Sequence, residues 1–199
     1  MFKNILIVGF GMIGSSIAQS YLKVNKNAKI FAFDKSGSLN KRLKLAKLNS
    51  INVLKSLDHI NNYNFDLIII CTPVLQYLSI FNKINKSDHK KFIVTDVGST
   101  KANIENIYVK GNFNFRFIPA HPIAGIEKSG LENGFEGLFE NRYNILCPIS
   151  KSSVRDFNKI KTFWKSLSMK IEVMSSKEHD HVLSLTSHLP HIISYSLVL

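Results

Sequence analysis

Cysteine is nearly absent from this chain of 199 residues: there are two, Cys71 and Cys147. Each ends an apolar run, and so distant a pair makes neither a metal-ligand pattern nor a disulfide framework. Both are read as core thiols in a reducing, cytoplasmic setting. Acidic residues are also scarce, 14 Asp and Glu against 26 Lys and Arg, for a net charge of +12. That balance permits nucleic-acid binding. The lysines, however, are scattered between Lys3 and Lys177, with no basic run interleaved with aromatics. Attraction of small anionic ligands, or a Lys/Asn/Ile-rich bias, accounts for the charge more simply. Repeats and low-complexity tracts are missing. So is a membrane span: Asn4 to Leu22 carries no charge, but three glycines, three serines and Gln19 dilute it below a spanning helix. Lys3 alone does not make the positive region of a signal peptide.

What is present is 45% hydrophobic residues, enough for a full core, in a chain long enough for one domain and the start of another. Ile5-Leu6-Ile7-Val8 reads as a strand buried on both faces. It runs into Gly9-Phe10-Gly11-Met12-Ile13-Gly14, a helical pattern through Leu22, a second apolar run at Ile30 to Phe33, and then Asp34. Strand, Gly-x-Gly-x-x-Gly, helix, strand and acid in this order mark a dinucleotide site. Gly9 makes the turn, Gly11 admits a pyrophosphate and Gly14 lets the helix pack close. The helix N-terminus at Met12 and Ile13 offers N–H groups to the phosphates. Asp34 suits an adenosine ribose and repels a 2′-phosphate, favouring NAD over NADP, with Lys35, Lys41 and Arg42 close behind to soften the discrimination.

Strand–helix alternation continues. Phe65 to Cys71 is a predicted strand ending at Thr72-Pro73, and Gln76 to Ile84 a helix. Phe92 to Val97 is a strand ending at Gly98-Ser99-Thr100-Lys101. Such alternation predicts an α/β fold: a Rossmann-type, doubly wound, mainly parallel sheet with ligands at the strand C-termini. Thr72, Ser99 and His121 fall at those ends. Ser99 suits a helix N-cap and a catalytic hydroxyl alike. Asn144 to Cys147 is a further strand. Ser152 is the predicted cap of a helix with an apolar stripe through Val154, Phe157, Ile160, Trp164 and Leu167, and Trp164 is assigned to the core. Lys170 to Val173 closes the sheet region. From Ser175 the pattern is helical and rich in histidine (His179, His181, His188, His191). Without a His-Glu-x-x-His or a nearby cysteine this gives no case for zinc, and no metal is expected.

The chain is organised around His121-Pro122-Ile123-Ala124-Gly125-Ile126-Glu127-Lys128-Ser129-Gly130. It follows a strand-like run, Phe115 to Ile118, and holds an imidazole, a carboxylate and an amine within eight residues. A histidine on a Gly/Pro loop after a strand is where an α/β protein places a general base.

Together with Cys71-Thr72-Pro73, Asp96 to Lys101, His179-Asp180 and Ser187-His188-Leu189-Pro190-His191, these motifs resemble the prephenate/arogenate (cyclohexadienyl) dehydrogenase family of tyrosine biosynthesis. The resemblance implies an NAD-binding Rossmann domain over 1–174 and, from 175 to 199, the first helical segment of an all-helical dimerisation domain. It implies oxidation of the ring carbinol of prephenate or arogenate by hydride transfer to NAD⁺, with loss of CO₂, in a homodimer. By that match His121 accepts the proton of the substrate 4-hydroxyl and Ser99 holds that hydroxyl in register. Gly9, Gly11, Met12, Ile13, Gly14, Asp34, Thr72 and Pro73 bind the cofactor. Glu127, Asp180 and His191 surround the substrate side chain. Two departures stand out. The family commonly has Thr where this chain has Ile126, and its carboxylate-binding arginine falls beyond Leu199, with Arg142 and Lys128 the only nearby basic residues.

The leading expectation is therefore an NAD-dependent prephenate or arogenate dehydrogenase. A hydroxyacid dehydrogenase, an NAD-binding sensor or scaffold without turnover, and a nucleic-acid binder rank below it. The run Ile192 to Leu199 has five aliphatic side chains and no cap, Gly or charge to end a helix. It leads to the expectation that the chain is incomplete and self-associates.

Overall fold

The computed structural model of the chain describes residues 1–88, 91–125, 128–188 and 196. The first strand, β1 (Asn4–Val8), sends Ile5 and Ile7 into one core and Leu6 and Val8 into another, with all four fully buried. A strand covered on both faces needs a continuous apolar run rather than alternation. The chain continues through α1 (Met12–Val24), β2 (Lys29–Phe33), α2 (Leu39–Leu45), the short β3 (Asn52–Val53), β4 (Leu67–Ile70), α3 (Tyr77–Asn85), β5 (Ile93–Asp96), α4 (Ala102–Lys110) and β6 (Arg116–Ile118). These strands form one sheet in the order β3-β2-β1-β4-β5-β6, every pair parallel. The strand order reverses beside β1, which opens a crevice at the C-terminal ends of β1 and β4.

Beyond β6 come β7 (Ala120–Ile123), β8 (Tyr143–Leu146), α5 (Val154–Ser166), β9 (Lys170–Val173) and α6 (Ser176–Leu183). The three strands make a second sheet, with β8 antiparallel to β7 and parallel to β9. The sheet region is thus two sheets, and Lys170 to Val173 closes the smaller.

One face of the large sheet packs on α1 and α5, where Trp164 is fully buried and meets Phe139 and Phe163 edge-on. The other face packs on α3 and α4, where Phe81 sits among the rings of Tyr77, Tyr108, Phe113, Phe115 and Phe117. Burial of each such side chain is worth about 1.5–3 kcal/mol.

Three expectations need correction. His121 lies on a strand, β7, and not on a loop. Pro122 pairs there with Asn144, and it is tolerated because β7 is the edge of its sheet, where a missing N–H breaks no ladder. The cap of α5 is Ser153, whose hydroxyl accepts the Asp156 N–H at 3.1 Å, while Ser152 accepts from the Ile149 N–H instead. Ser99 caps nothing: Lys101 stands at the N-cap position of α4, with no side-chain cap of its own.

The helical expectation after Ser175 holds as far as the described residues go. Ser175 and Glu178 form a reciprocal capping box at the start of α6, and a π-helical turn follows at Ser184–His188. Apart from Ser196, the run 192–199 lies outside the described residues.

Candidate active site

The glycine loop joins β1 to α1 above the crevice. Gly9 has φ +91°, and a Cβ there would sit 2.8 Å from the Cys71 carbonyl carbon, so the loop crosses the end of β4 in contact with it. A Cβ on Gly14 would lie 2.5 Å from the Gly9 carbonyl oxygen. Gly11 differs, since a Cβ there meets nothing within 4 Å and faces open space. Helix α1 begins at that space with no side-chain cap and no acidic residue in its first turn. Met12 and Ile13 therefore present their N–H end to any anion that enters.

Asp34, at the end of β2, accepts the Phe10 N–H at 3.0 Å and the Ser36 N–H at 2.9 Å. Gly9, Gly11, Asp34, Lys35, Thr72 and Pro73 line one cavity of about 260 Å³. Thr72 Oγ1 is buried there without a hydrogen-bond partner. An orphaned hydroxyl, an open glycine and an uncapped helix start together fit the pyrophosphate and ribose of a dinucleotide. Arg42, a candidate partner for a 2′-phosphate, instead meets Glu132 at 2.7 Å. Leu57, Gln76, Ile80 and Lys83 complete the cavity. No motif marks these four, because they come from two 3₁₀ turns and a helix that only tertiary packing brings to the glycines. The Cys71 thiol beside them is held protonated by burial.

A second cluster lies where β5 ends and β7 begins. Asp96, fully buried, takes the Ala120 N–H on Oδ1 at 2.9 Å, and the Gly98 N–H and Tyr77 hydroxyl on Oδ2, each at 2.9 Å. Lys101, also fully buried, ion-pairs with the same Oδ2 and donates to the Ala120 carbonyl at 2.6 Å. Burial, with the Asp96 charge adding to it, pushes the Tyr77 phenol well up, so that it remains a donor. This hub ties the Ser99 loop to the strand that carries His121. Lys101 is the functional position the sequence reading passed over: a lysine after a strand reads as a solvated end, and nothing local announces that it is buried.

His121 is half-buried, and its Nδ1 lies 2.8 Å from Nε2 of the fully buried His179. His179 Nδ1 in turn lies 2.8 Å from Asp180 Oδ1. The Asp180 carboxylate also takes the Lys101 N–H at 2.7 Å and the Ala102 N–H at 2.9 Å, so α4 is capped by a residue of α6. Burial lowers the His179 pKa more than its bond to Asp180 raises it. For Asp180 burial acts upward, but the N–H bonds from Lys101 and Ala102 and the bond to His179 outweigh it, and the carboxyl sits below its ordinary range.

Among the other expected site residues, Ser99 is exposed at the end of β5 and Arg142 is exposed at the start of β8. Glu127, His191 and Ile126 lie outside the described residues.

The segment after β7 returns to α1. Ser15 Oγ donates to the Leu131 carbonyl at 3.0 Å, Gln19 Nε2 donates to the Gly134 carbonyl at 3.0 Å, and Ser16 Oγ accepts the Phe135 N–H at 3.1 Å. A larger cleft, about 800 Å³ and lined by Lys3, Asp66, Arg116 and Arg155, opens at the opposite, N-terminal ends of the strands. It is far from the glycines and histidines, on the side where open α/β sheets do not bind ligands.

The description "Prephenate dehydrogenase, nucleotide-binding domain" matches residues 18–173, and "Prephenate dehydrogenase, dimerization domain" matches residues 175–199. The chain belongs to the prephenate dehydrogenase family. It is 32% identical over 198 residues to the cyclohexadienyl dehydrogenase of Zymomonas mobilis, covering 100% of this chain and 67% of that protein. With the prephenate dehydrogenase of Bacillus subtilis it shares 33% identity over 201 residues, 100% of this chain and 53% of the relative. The chain thus spans between about half and two thirds of these relatives' length. Among solved structures, the prephenate dehydrogenase of A. aeolicus in complex with hydroxyphenyl propionate and NAD⁺ superposes with a TM-score of 0.91 at 31% identity, over 100% of this chain and 68% of that one. The Synechocystis arogenate dehydrogenase follows at 0.84 and 25% identity, over 98% of this chain and 68% of that one. The match to the nucleotide-binding domain runs from within α1 to the end of β9 and so takes in strands of both sheets. Among the described residues no helix is long and apolar enough to cross a membrane, and the uncharged stretch 4–22 is β1, the glycine loop and part of α1.

Proposed function

We propose that this chain supplies the NAD-binding and proton-accepting part of a dehydrogenase that converts prephenate to 4-hydroxyphenylpyruvate, or arogenate to tyrosine, with release of CO₂. The observation that carries the reading is the position of His121. Its ring is held from behind at Nδ1, at the same edge of the fold as the glycine loop. The family membership and the NAD⁺ complex of the A. aeolicus relative support it.

In this reading Gly11, Met12 and Ile13 receive the pyrophosphate, Asp34 the adenosine ribose, and Thr72 and Pro73 the face of the cofactor beyond it. NAD⁺, when bound, takes the hydride from the substrate's carbinol carbon. His121 takes the hydroxyl proton as the hydride departs, which lowers the cost of forming a carbonyl at that carbon. Ser99, exposed at the mouth, hydrogen-bonds the same hydroxyl. When the ring carboxylate leaves as CO₂, its bonding electron pair enters the ring and makes it aromatic. The carbonyl oxygen becomes a phenolate, and His121 returns the proton to it. Glu127 and His191 are assigned to the substrate side chain. Residues 175–199 are assigned to the start of a dimerisation domain after a cofactor domain over 1–174, in a cytoplasmic homodimer; the dimerization-domain match supports the dimer.

The test is NADH formation with prephenate and with arogenate. His121→Asn should lower turnover by roughly 10²–10⁴-fold, the usual worth of a positioned acid–base group. NAD⁺ affinity should be unchanged, because the glycine loop is untouched. Turnover that survives the substitution removes His121 from the reaction.

A further inference from the structure

Asp180 has both carboxylate oxygens committed, and this fixes protons two residues away. Oδ1 accepts the Lys101 N–H, Oδ2 accepts the Ala102 N–H, and both donors belong to the first turn of α4. A helix N-terminus and two N–H bonds keep this carboxylate ionised. An ionised carboxylate only accepts, so His179 Nδ1, 2.8 Å away, carries the proton of that bond. His179 is fully buried, among Asp180 on its own helix, Lys101 at the start of α4, Asp96 on β5 and His121 on β7, with Cys147 facing the same Lys101, Asp96 and Asp180. The Cys147 thiol is pushed up by burial to about 12 and stays neutral. Lys101 is the nearby cation and opposes a second positive charge. A neutral His179 protonated at Nδ1 has a bare Nε2, which accepts. Its partner at 2.8 Å is His121 Nδ1, which must then donate. Each proton in the chain follows from the one before it.

We propose that Asp180 and His179 form a relay that locks His121 in the tautomer protonated at Nδ1, so that its Nε2 lone pair faces the substrate hydroxyl. The arrangement has the logic of a hydrolase triad, in which a buried carboxylate sets the tautomer of the base through the far ring nitrogen. Neutral histidine in water favours the opposite tautomer, protonated at Nε2, so the relay selects the minor form. Asp180 and His179 are positioning residues here, since both act through His121. The inference rests on the proposed role of His121 for its catalytic meaning, and on hydrogen-bond geometry alone for the tautomer. It moves Asp180 from the substrate side chain, where the family resemblance put it, to the support of the base.

The test reads the tautomer directly in the full chain, by two-bond ¹H–¹⁵N correlation of the histidine rings at a pH where both are neutral. His121 should appear protonated at Nδ1. Asp180→Leu removes the acceptor that holds the proton on His179 Nδ1, so both rings should shift to the Nε2-protonated form. His179→Leu should do the same to His121 by removing its acceptor, and His179→Gln, whose carbonyl replaces Nε2, should preserve the Nδ1–H. With substrate, kcat should fall by roughly 10²–10⁴-fold in Asp180→Leu. It should stay within about tenfold in His179→Gln, and KM for NAD⁺ should not move in either. An Nε2-protonated His121 in the unsubstituted chain overturns the relay, and that reading needs no variant to fold. A tautomer indifferent to Asp180→Leu overturns it equally. The correct tautomer in a chain inert toward both substrates leaves the relay standing and refutes the assigned reaction instead.

Discussion

The backbone N–H of Phe10 donates to Asp34 Oδ2 at 3.0 Å, so the acid assigned to the ribose also holds the loop assigned to the phosphates. The two halves of the cofactor site are joined before any cofactor arrives. Asp34→Ala should therefore do two things. It should narrow the preference for NAD⁺ over NADP⁺ by removing the charge, and it should weaken NAD⁺ itself, because the loop loses a charge-assisted bond of about 1.5–3 kcal/mol. That corresponds to a loss of roughly tenfold or more in affinity. Titration of both cofactors by calorimetry checks this. Equal binding of NADP⁺ by the unsubstituted chain refutes the assignment, and with Arg42 engaged by Glu132 there is little to invite it.

Gly11 and Gly14 separate binding from folding. A methyl on Gly11 enters open space, so Gly11→Ala should melt like the parent and bind NAD⁺ at least about tenfold more weakly, the new Cβ standing where a phosphate must come. A methyl on Gly14 meets the Gly9 carbonyl at 2.5 Å and should cost about 1–3 kcal/mol in denaturant unfolding. Similar melting losses in the two variants would show that Gly11 also does structural work.

Lys101 and Asp96 form an ion pair from which water is fully excluded. Lys101→Met leaves the Asp96 carboxylate with one cation fewer and should destabilise by about 3–5 kcal/mol, the usual cost of breaking a buried pair from one side. Urea unfolding measures it. A loss below about 1 kcal/mol would mean that the Tyr77 hydroxyl and the N–H groups of Gly98 and Ala120 suffice to hold the carboxylate.

His179 should make stability depend on pH. Its folded pKa lies below the ordinary value of 6.5, so below that value the unfolded chain takes up a proton that the folded chain resists. Stability should fall as pH drops through about 6.5 toward the folded value. His179→Leu lacks this group, and its stability deficit against the parent should shrink between neutral pH and about pH 5.5. The Asp180 contribution acts in the same direction at lower pH. It is complete above the usual carboxylate range and is lost as pH falls through its depressed folded value. A deficit constant across the range would show that His179 titrates normally.

The fold was legible where the signal is local. Buried parallel strands appear as uninterrupted runs such as Ile5 to Val8 and Leu67 to Ile70, and the glycine spacing marks the first turn of α1. The strand β7 escaped notice because Pro122 and the glycines after it carry the chemistry of a loop. Only the pairing with β8, whose residues lie twenty or more positions on, makes an edge strand of it. Likewise Asp180 advertises itself as a surface acid in a charged helix start, and its use as the cap of α4 depends on a contact across 78 residues. His179 and His121 are 58 residues apart. No periodicity spans such distances, so the residue types of the site could be named from sequence while their division of labour could not.

The bonds from Ser15, Ser16 and Gln19 to Leu131, Gly134 and Phe135 bear on how this protein can vary in length. The chain leaves the β7–β8 ladder after Ile123 and is gripped again by α1 at Leu131. The two anchored points on either side are the strand that carries His121 and the helix that follows the glycine loop. Deleting or adding a residue between them should therefore disturb both anchored points. Length changes that a surface turn would absorb silently would be felt here at both parts of the proposed site at once.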